Sequence, residues 1–106
     1  MLDIYAVILE VLRGLRPVMG AIEGRDNDLA RQMRRAASSV ALNVAEGMGS
    51  RGGNRTLRYR NALGSMQETM ACVDVGLALG YLEGVDAGLH DRMRRIVGTL
   101  VRLTHR

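Results

Sequence analysis

Glu46 and Glu68 are the best candidates in the sequence for catalytic residues. Each follows Asn and Ser residues at helical spacing, and two carboxylates held close together could act as general acid and base in a hydrolysis. No nucleophile–base pair and no loop suited to stabilise an oxyanion accompanies them. The pattern therefore predicts no catalytic residue and a structural role for both glutamates, with a small hydrolase as an alternative.

The sequence gives little support for a metal site, a reactive thiol or a phosphate-binding loop. Neither His90 nor His105 has a glutamate three positions earlier, as a carboxylate-bridged metal site in a helical bundle requires. Cys72 stands between Ala71 and Val73, which is typical of a small core residue. The glycine-rich segment 47–54 lacks the Gly-Lys-Ser/Thr ending of a phosphate loop. We therefore expect no enzyme activity, no metal and no cofactor.

Arginine is the residue type that most strongly suggests a partner. All 15 basic residues are arginine, and the formal net charge is +4. Arginine suits bidentate contacts to phosphate, and four arginines fall within ten residues that contain no acid. Three aromatic residues are too few for a base-stacking platform, so binding would be directed at the RNA backbone. The predicted nucleic-acid-binding residues are Arg51, Arg55, Arg58 and Arg60.

The arginine bias is equally consistent with a chain that binds no nucleic acid. A composition rich in Arg, Ala, Gly, Val and Leu and lacking Lys, Phe and Trp is also what a GC-rich genome would encode. The arginines would then form a solvated surface with no partner.

Polar side chains recur at three- and four-residue spacing in two segments, beside the apolar positions. We expect the carboxylates of Glu46 and Glu68 to accept hydrogen bonds from Asn43, Ser65 and Arg60, which would fix helix register or a subunit contact. The alternative is a pair of solvated polar flanks. The predicted structural polar network or subunit contact consists of Ser39, Asn43, Glu46, Gly47, Ser65 and Glu68.

Apolar residues recur at helical spacing along nearly the whole chain, and no long stretch alternates as a strand would. The first helix ends near Gly24 and should kink or restart near Arg16, because Pro17 removes a backbone donor. The second spans about Leu29–Glu46. The glycine-rich loop 47–54 follows it.

A third helix is predicted over about Thr56–Leu79, and Asp86 should cap a fourth. Four helices with short connections predict an all-α, antiparallel up-down four-helix bundle. The predicted inward residues are Leu2, Tyr5, Ile8, Leu9, Leu12, Leu15, Val18, Met19 and Ile22; Leu29, Met33, Ala37, Val40 and Val44; Leu57, Tyr59, Leu63, Met66, Met70, Val73 and Leu77; and Leu89, Met93, Ile96, Leu100 and Leu103.

The length of 106 residues predicts one domain over 1–106 with a modest core. A single cysteine excludes an internal disulfide and suggests a reducing, cytoplasmic setting. The apolar runs are too short to span a membrane, and no signal peptide is evident. We expect a cytoplasmic chain with no membrane partner, whose small core favours self-association.

Three segments resemble one family. The segment Gln32–Gly47 follows the pattern Gln-x-x-Arg-Ala-x-x-Ser-x-x-x-Asn-x-Ala-Glu-Gly, and Ala62–Glu68 carries a Gly-Ser followed three residues later by Glu. With the Leu-Gly-Tyr-Leu of residues 79–82, they resemble the 23S rRNA intervening-sequence protein family. The likeness covers roughly residues 29–82.

The resemblance implies a left-handed four-helix bundle that assembles as a homopentamer, with an unsettled biochemical role. The family is also similar to pentameric accessory proteins of diversity-generating retroelements, which bind a reverse transcriptase and nucleic acid. We therefore expect a non-enzymatic homo-oligomer, a pentamer by resemblance, that binds RNA or a nucleoprotein complex. The alternative is a protein-interaction scaffold with a polypeptide partner and no nucleic-acid binding. The resemblance also implies that Asn43, Glu46, Gly47, Ser65 and Glu68 are structural determinants.

Overall fold

The computed structural model describes residues 3–105, so the predicted core residue Leu2 lies outside the described part. This part of the chain holds four α-helices and no strand, which confirms the all-helical prediction. The helices are α1 (Asp3–Glu23), α2 (Asn27–Met48), α3 (Gly52–Ala78) and α4 (Ala87–Thr104).

Helix α1 continues without a break across Pro17, so it does not restart near Arg16. Pro17 lies on the exposed side of the helix. On the inner side, Leu15 and Ile22 are both 0% exposed. Because this burial holds the chain on both sides of the proline, it stabilises the helix against the loss of one backbone hydrogen bond.

Aspartates begin two of the helices. Asp26 is the N-cap of α2, where its Oδ1 accepts a hydrogen bond from the Leu29 amide at 3.0 Å. Asp86 caps α4 in the same way, through its Oδ2 and the Leu89 amide at 2.9 Å. Each carboxylate satisfies one of the amides that a helix N-terminus leaves unpaired, and for Asp86 this confirms the prediction.

The connection between α2 and α3 is much shorter than the predicted loop 47–54, because only residues 49–51 are outside the helices. Gly47 stays in α2, and Gly52 begins α3 with a φ of +56°, a conformation that glycine adopts at little cost. The Arg55 side chain donates from Nε to the carbonyl oxygen of Gly47 at 3.1 Å. This contact closes the turn. The predicted loop is too long because it was inferred from the local glycine content alone.

The core forms where each helix packs on its neighbours in the chain, and α1 also packs on α4. Most predicted inward residues are buried or partly buried. The prediction is wrong for Leu57 and Leu77, which are 52% and 37% exposed. Thr69 takes an inward place on α3 instead, and its hydroxyl donates to the Ser65 carbonyl at 2.8 Å, so its burial leaves no unpaired donor.

Among the described helices, none is both long enough and apolar enough to cross a membrane.

Candidate functional site

The polar residues of α2 and α3 meet along one line, here called the α2–α3 seam and centred on Ser39, Asn43 and Ser65. The Ser39 Oγ accepts a hydrogen bond from Asn43 Nδ2 at 2.9 Å and another from Ser65 Oγ at 2.8 Å. Asn43 Nδ2 also donates to the Ser39 carbonyl at 2.9 Å. All three residues are half-buried. The Ser65–Ser39 bond joins the two helices directly and fixes their relative position.

The two glutamates lie at the exposed ends of the seam. The Glu46 carboxylate pairs with Arg58, with Nη1 and Oε2 3.1 Å apart. The Glu68 carboxylate accepts a hydrogen bond from Gln32 Nε2 at 3.4 Å. The expected donors Asn43 and Ser65 bond to Ser39 instead, and Arg60, two residues beyond Arg58, projects from another side of α3.

The separation of Glu46 and Glu68 excludes a joint acid–base role. Glu68 lies level with Gln32, and 46 − 32 gives 14 residues of α2 between Gln32 and Glu46. At about 1.5 Å per residue, this is roughly 20 Å along the helix axis. Carboxyl pairs that act on one glycosidic bond, for comparison, are at most about 9.5 Å apart. The two carboxylates therefore cannot act on the same bond.

Gly47 lies against the ring of Tyr59, where α2 and α3 approach each other near the turn. A Cβ at Gly47 would overlap the ring carbons Cδ1 and Cε1 of Tyr59. Both residues are buried, and Tyr59 is only 5% exposed. Gly47 is therefore a packing residue of this helix pair.

The four arginines of the predicted nucleic-acid surface lie at the α2–α3 turn and the first turns of α3. Arg51 and Arg60 are exposed, and neither guanidinium has an ion-pair or hydrogen-bond partner within the described chain. Arg55 uses its Nε to hold the Gly47 carbonyl, and Arg58 pairs with Glu46. The segment free of acids in the sequence thus has an acid beside it in space, which lowers the local charge.

Two open grooves flank the seam, and sequence reasoning missed the arginines of α2 that line them. Arg35 lines both grooves and has no ion-pair partner among residues 3–105. Arg35 and Ser39 are four apart on one helix, so the spacing could have placed Arg35 on the seam. The first groove, about 490 Å³, is lined by Arg34, Arg35, Ser38, Ser39, Leu42, Asn43, Glu46 and Arg58. The second, about 570 Å³, is lined by Asp28, Arg31, Gln32, Arg35, Ala36, Ser39, Ser65 and Glu68.

Cys72 is buried, at 3% exposure, as expected of a small core residue. Burial raises the pKa of the Cys72 thiol, and the Glu68 carboxylate raises it further. Both effects disfavour the thiolate, which is the reactive form of this side chain.

Tyr81 joins the segment after α3 to the start of α2. Its hydroxyl donates to Asp26 Oδ2 at 3.2 Å, and the Arg25 guanidinium lies 5.7 Å from the ring centre. Desolvation and the bond to Asp26 raise the pKa of the Tyr81 hydroxyl. The contact therefore favours the neutral phenol.

The described residues contain no group of three or more His, Cys, Asp or Glu side chains that could hold a metal ion.

The sequence between the end of α1 and the last turn of α4 decides the family. A family model described as 23S rRNA-intervening sequence protein matches residues 21–101. The chain belongs to this family. For this 23S rRNA intervening-sequence protein, the matched region contains the complete seam, the turn arginines and both grooves. Neither the curated proteins nor the solved structures gave a match.

Proposed function

We propose that this 23S rRNA intervening-sequence protein is a non-enzymatic, cytoplasmic, single-domain bundle that self-associates as a homopentamer and binds the phosphate backbone of RNA. The pentamer is the state that the family resemblance implies. The α2–α3 seam would hold the helices in register, and the arginines at the α2–α3 turn would contact phosphate.

We propose an antiparallel, left-handed arrangement of the helices. Three side-chain pairs across the seam support the antiparallel part: Arg58 with Glu46, Ser65 with Ser39, and Glu68 with Gln32. The residue number rises on α3 as it falls on α2, which is the pattern of antiparallel neighbours. Short connections between sequential helices fit the same arrangement.

The observation that carries RNA binding is a pair of exposed arginines with unpartnered side chains, Arg51 at the α2–α3 turn and Arg60 in the third turn of α3. Each guanidinium can donate two parallel hydrogen bonds to a phosphate without first breaking an ion pair. Arg58 would have to leave Glu46 to do so. Binding through so few contacts is weak for one copy, and an assembly that repeats the site strengthens it by avidity.

Fluorescence anisotropy with a labelled, mixed-sequence single-stranded RNA tests this proposal. We expect micromolar affinity at about 50 mM salt that falls steeply as salt rises, because binding releases condensed cations. The double variant Arg51→Ala/Arg60→Ala should bind at least tenfold more weakly. The slope of log affinity against log salt should become shallower by about 0.7 for each lost phosphate contact.

The matched control is Arg13→Ala/Arg16→Ala, which removes the same charge from the exposed side of α1. It should keep most of the affinity. Absence of binding at about 50 mM salt contradicts the proposal, and so does an equal loss in the control, because net charge alone would then explain the affinity.

A protein-interaction scaffold without nucleic-acid binding is the second candidate. It is favoured by exposed large apolar side chains on α2 and α3, such as Leu42 at 67% and Leu57 at 52% exposure. Such groups suit protein contacts better than phosphate contacts. The same anisotropy experiment separates the two candidates, since a scaffold shows no salt-dependent RNA binding.

A further inference from the structure

Exposed large apolar residues are confined to one half of the described chain. All five lie on α2, on α3 or at its C-cap, and none lies on α1 or α4. Leu42 lines the first groove beside the seam. The others are Leu57, Val75, Leu77 and Leu79, between 37% and 56% exposed.

Three of these residues share a side of α3 with Glu68, which lines the second groove. Leu57 and Leu79 are eleven residues from Glu68, and Val75 is seven residues away. At 3.6 residues per turn, a step of seven or eleven residues brings a side chain to within about 20° of the direction of Glu68. Leu57, Val75 and Leu79 therefore lie along one outward side of α3, and Leu42 lines the first groove on α2. We call the surface formed by these four residues and the two grooves the α2–α3 outer face.

Helix α3 carries apolar residues on two opposite sides. Met66 and Val73 are buried at 1% and 3% exposure on its inner side, while Leu57 and Val75 face outward. A helix that is apolar on both sides is usually buried on both sides. Between the outer apolar residues, Gly64 is exposed and has no atom within 4 Å of where a Cβ would stand, so a second helix could approach closely.

Charge decides which partner fits this face. Four arginines and three acids line the two grooves, and Arg34 among them is paired with Glu23 at 2.7 Å. Counting Glu23, the four positive and four negative charges balance. The formal excess of +4 therefore lies elsewhere on the chain. Two like-charged copies repel least where each is neutral, whereas a nucleic acid gains most where the charge is positive.

The size of the face also fits a copy of the chain. Helices of 22 and 27 residues are roughly 33 to 40 Å long, and two side by side are about 20 Å wide. The product of this length and width is about 660 to 800 Å². A standard stable protein interface covers about 800 Å² on each partner.

We infer that a second copy of this chain packs against the α2–α3 outer face, with Leu42, Leu57, Val75 and Leu79 as its apolar contacts. The inference rests on the proposed self-association and assigns the surface that carries it. Of the four arginines at the α2–α3 turn and in the first turns of α3, Arg58 lines the first groove and is paired there with Glu46, whereas Arg51, Arg55 and Arg60 line neither groove.

Sedimentation equilibrium of the purified chain across about 1 to 100 µM tests the assignment, with Val75→Glu and Leu42→Gln as variants. Both positions are more than 40% exposed, so the helices should form normally, as circular dichroism would verify. We expect at least a tenfold higher concentration for half-association in each variant. Ala6→Glu, at an exposed position of α1, adds the same charge as Val75→Glu and should associate like the unchanged chain.

The possible results separate self-association from the assigned surface. An unchanged chain that stays monomeric throughout overturns both together. An unchanged chain that associates, with both folded variants associating equally well, overturns the surface and leaves self-association standing. If Ala6→Glu dissociates the assembly as well, the assigned surface is also overturned, because the added negative charge alone would explain the dissociation. If Val75→Glu does not fold, the association of the uncharged variant Leu42→Gln decides whether the assigned surface is correct.

Discussion

The backbone of Gly47 packs directly on the ring of Tyr59, leaving no room for a side chain on α2 at this point. Glycine in a helix interior ordinarily costs about 0.5 to 1 kcal/mol relative to alanine. Here the missing side chain lets two helices meet beside their turn. The Arg55 bond to the Gly47 carbonyl then closes the same corner.

Replacing Gly47 by alanine should therefore destabilise the protein in spite of alanine's higher helix propensity. Displacing the buried Tyr59 ring should cost about 1 to 3 kcal/mol, the usual range for overpacking. Gly20→Ala is the matched control, because Gly20 lies exposed in α1 with nothing within 4 Å of its Cβ position. Urea unfolding should show a loss for the first variant and a gain of up to about 1 kcal/mol for the second. Equal stability of the two variants would contradict the packing role.

Ser39 should contribute more to stability than its half-exposed position suggests. Ser39→Ala removes the acceptor of Ser65 Oγ and one of the two acceptors of Asn43 Nδ2, so we expect a loss of about 1 to 2 kcal/mol. Ser38→Ala is the control, because the exposed Ser38 hydroxyl only bonds within α2, to the Arg34 carbonyl. A double-mutant cycle of Ser39→Ala and Ser65→Ala should show about 0.5 to 1.5 kcal/mol of coupling. No coupling would mean that the cross-helix bond does not form in solution.

Cys72 provides a pH-dependent probe of folding. Its folded pKa is raised above the ordinary value of 9.0, chiefly by burial, so folding disfavours the thiolate. The stability that the protonated thiol contributes is complete below about pH 9 and is lost as pH rises toward the folded pKa. The free energy of unfolding should thus fall more steeply above pH 9 than it does in Cys72→Ala. This difference isolates Cys72 from Tyr81, whose raised pKa acts in the same direction.

The reactivity of Cys72 gives an independent check. A thiol-specific colour reagent at about pH 8 should modify the folded chain slowly and the urea-unfolded chain at once, because the thiol is 3% exposed. Rapid labelling of the folded chain would contradict its burial.

The sequence predicted the helices well because hydrophobic spacing and caps are local signals. Asp86 was identified as a cap from its position before an apolar run. The turn between α2 and α3 was overestimated, because the contact of Gly47 with Tyr59 joins residues twelve apart and has no local signature. Glycine content alone cannot separate a flexible loop from a close helix contact.

The inward side of α3 was predicted less accurately. Leu57 and Leu77 fit a helical repeat but are exposed, because apolar residues occur on more than one side of this helix. Thr69 was missed because its hydroxyl is satisfied by the backbone of its own helix. The structure brings Ser39, Asn43 and Ser65 together, but the hydrogen-bond partners differ from those expected. Asn43 and Ser65 donate to Ser39 and not to the glutamates.

Assembly through the α2–α3 outer face should multiply the weak contacts that the turn arginines make to RNA. The decisive experiment is RNA anisotropy at about 50 mM salt for Val75→Glu beside Ala6→Glu, which carries the same net charge. Val75→Glu leaves all four turn arginines in place, yet it should bind at least tenfold more weakly, because avidity is lost with the assembly. Equal RNA affinity of the two variants would contradict the proposed link between assembly and RNA binding.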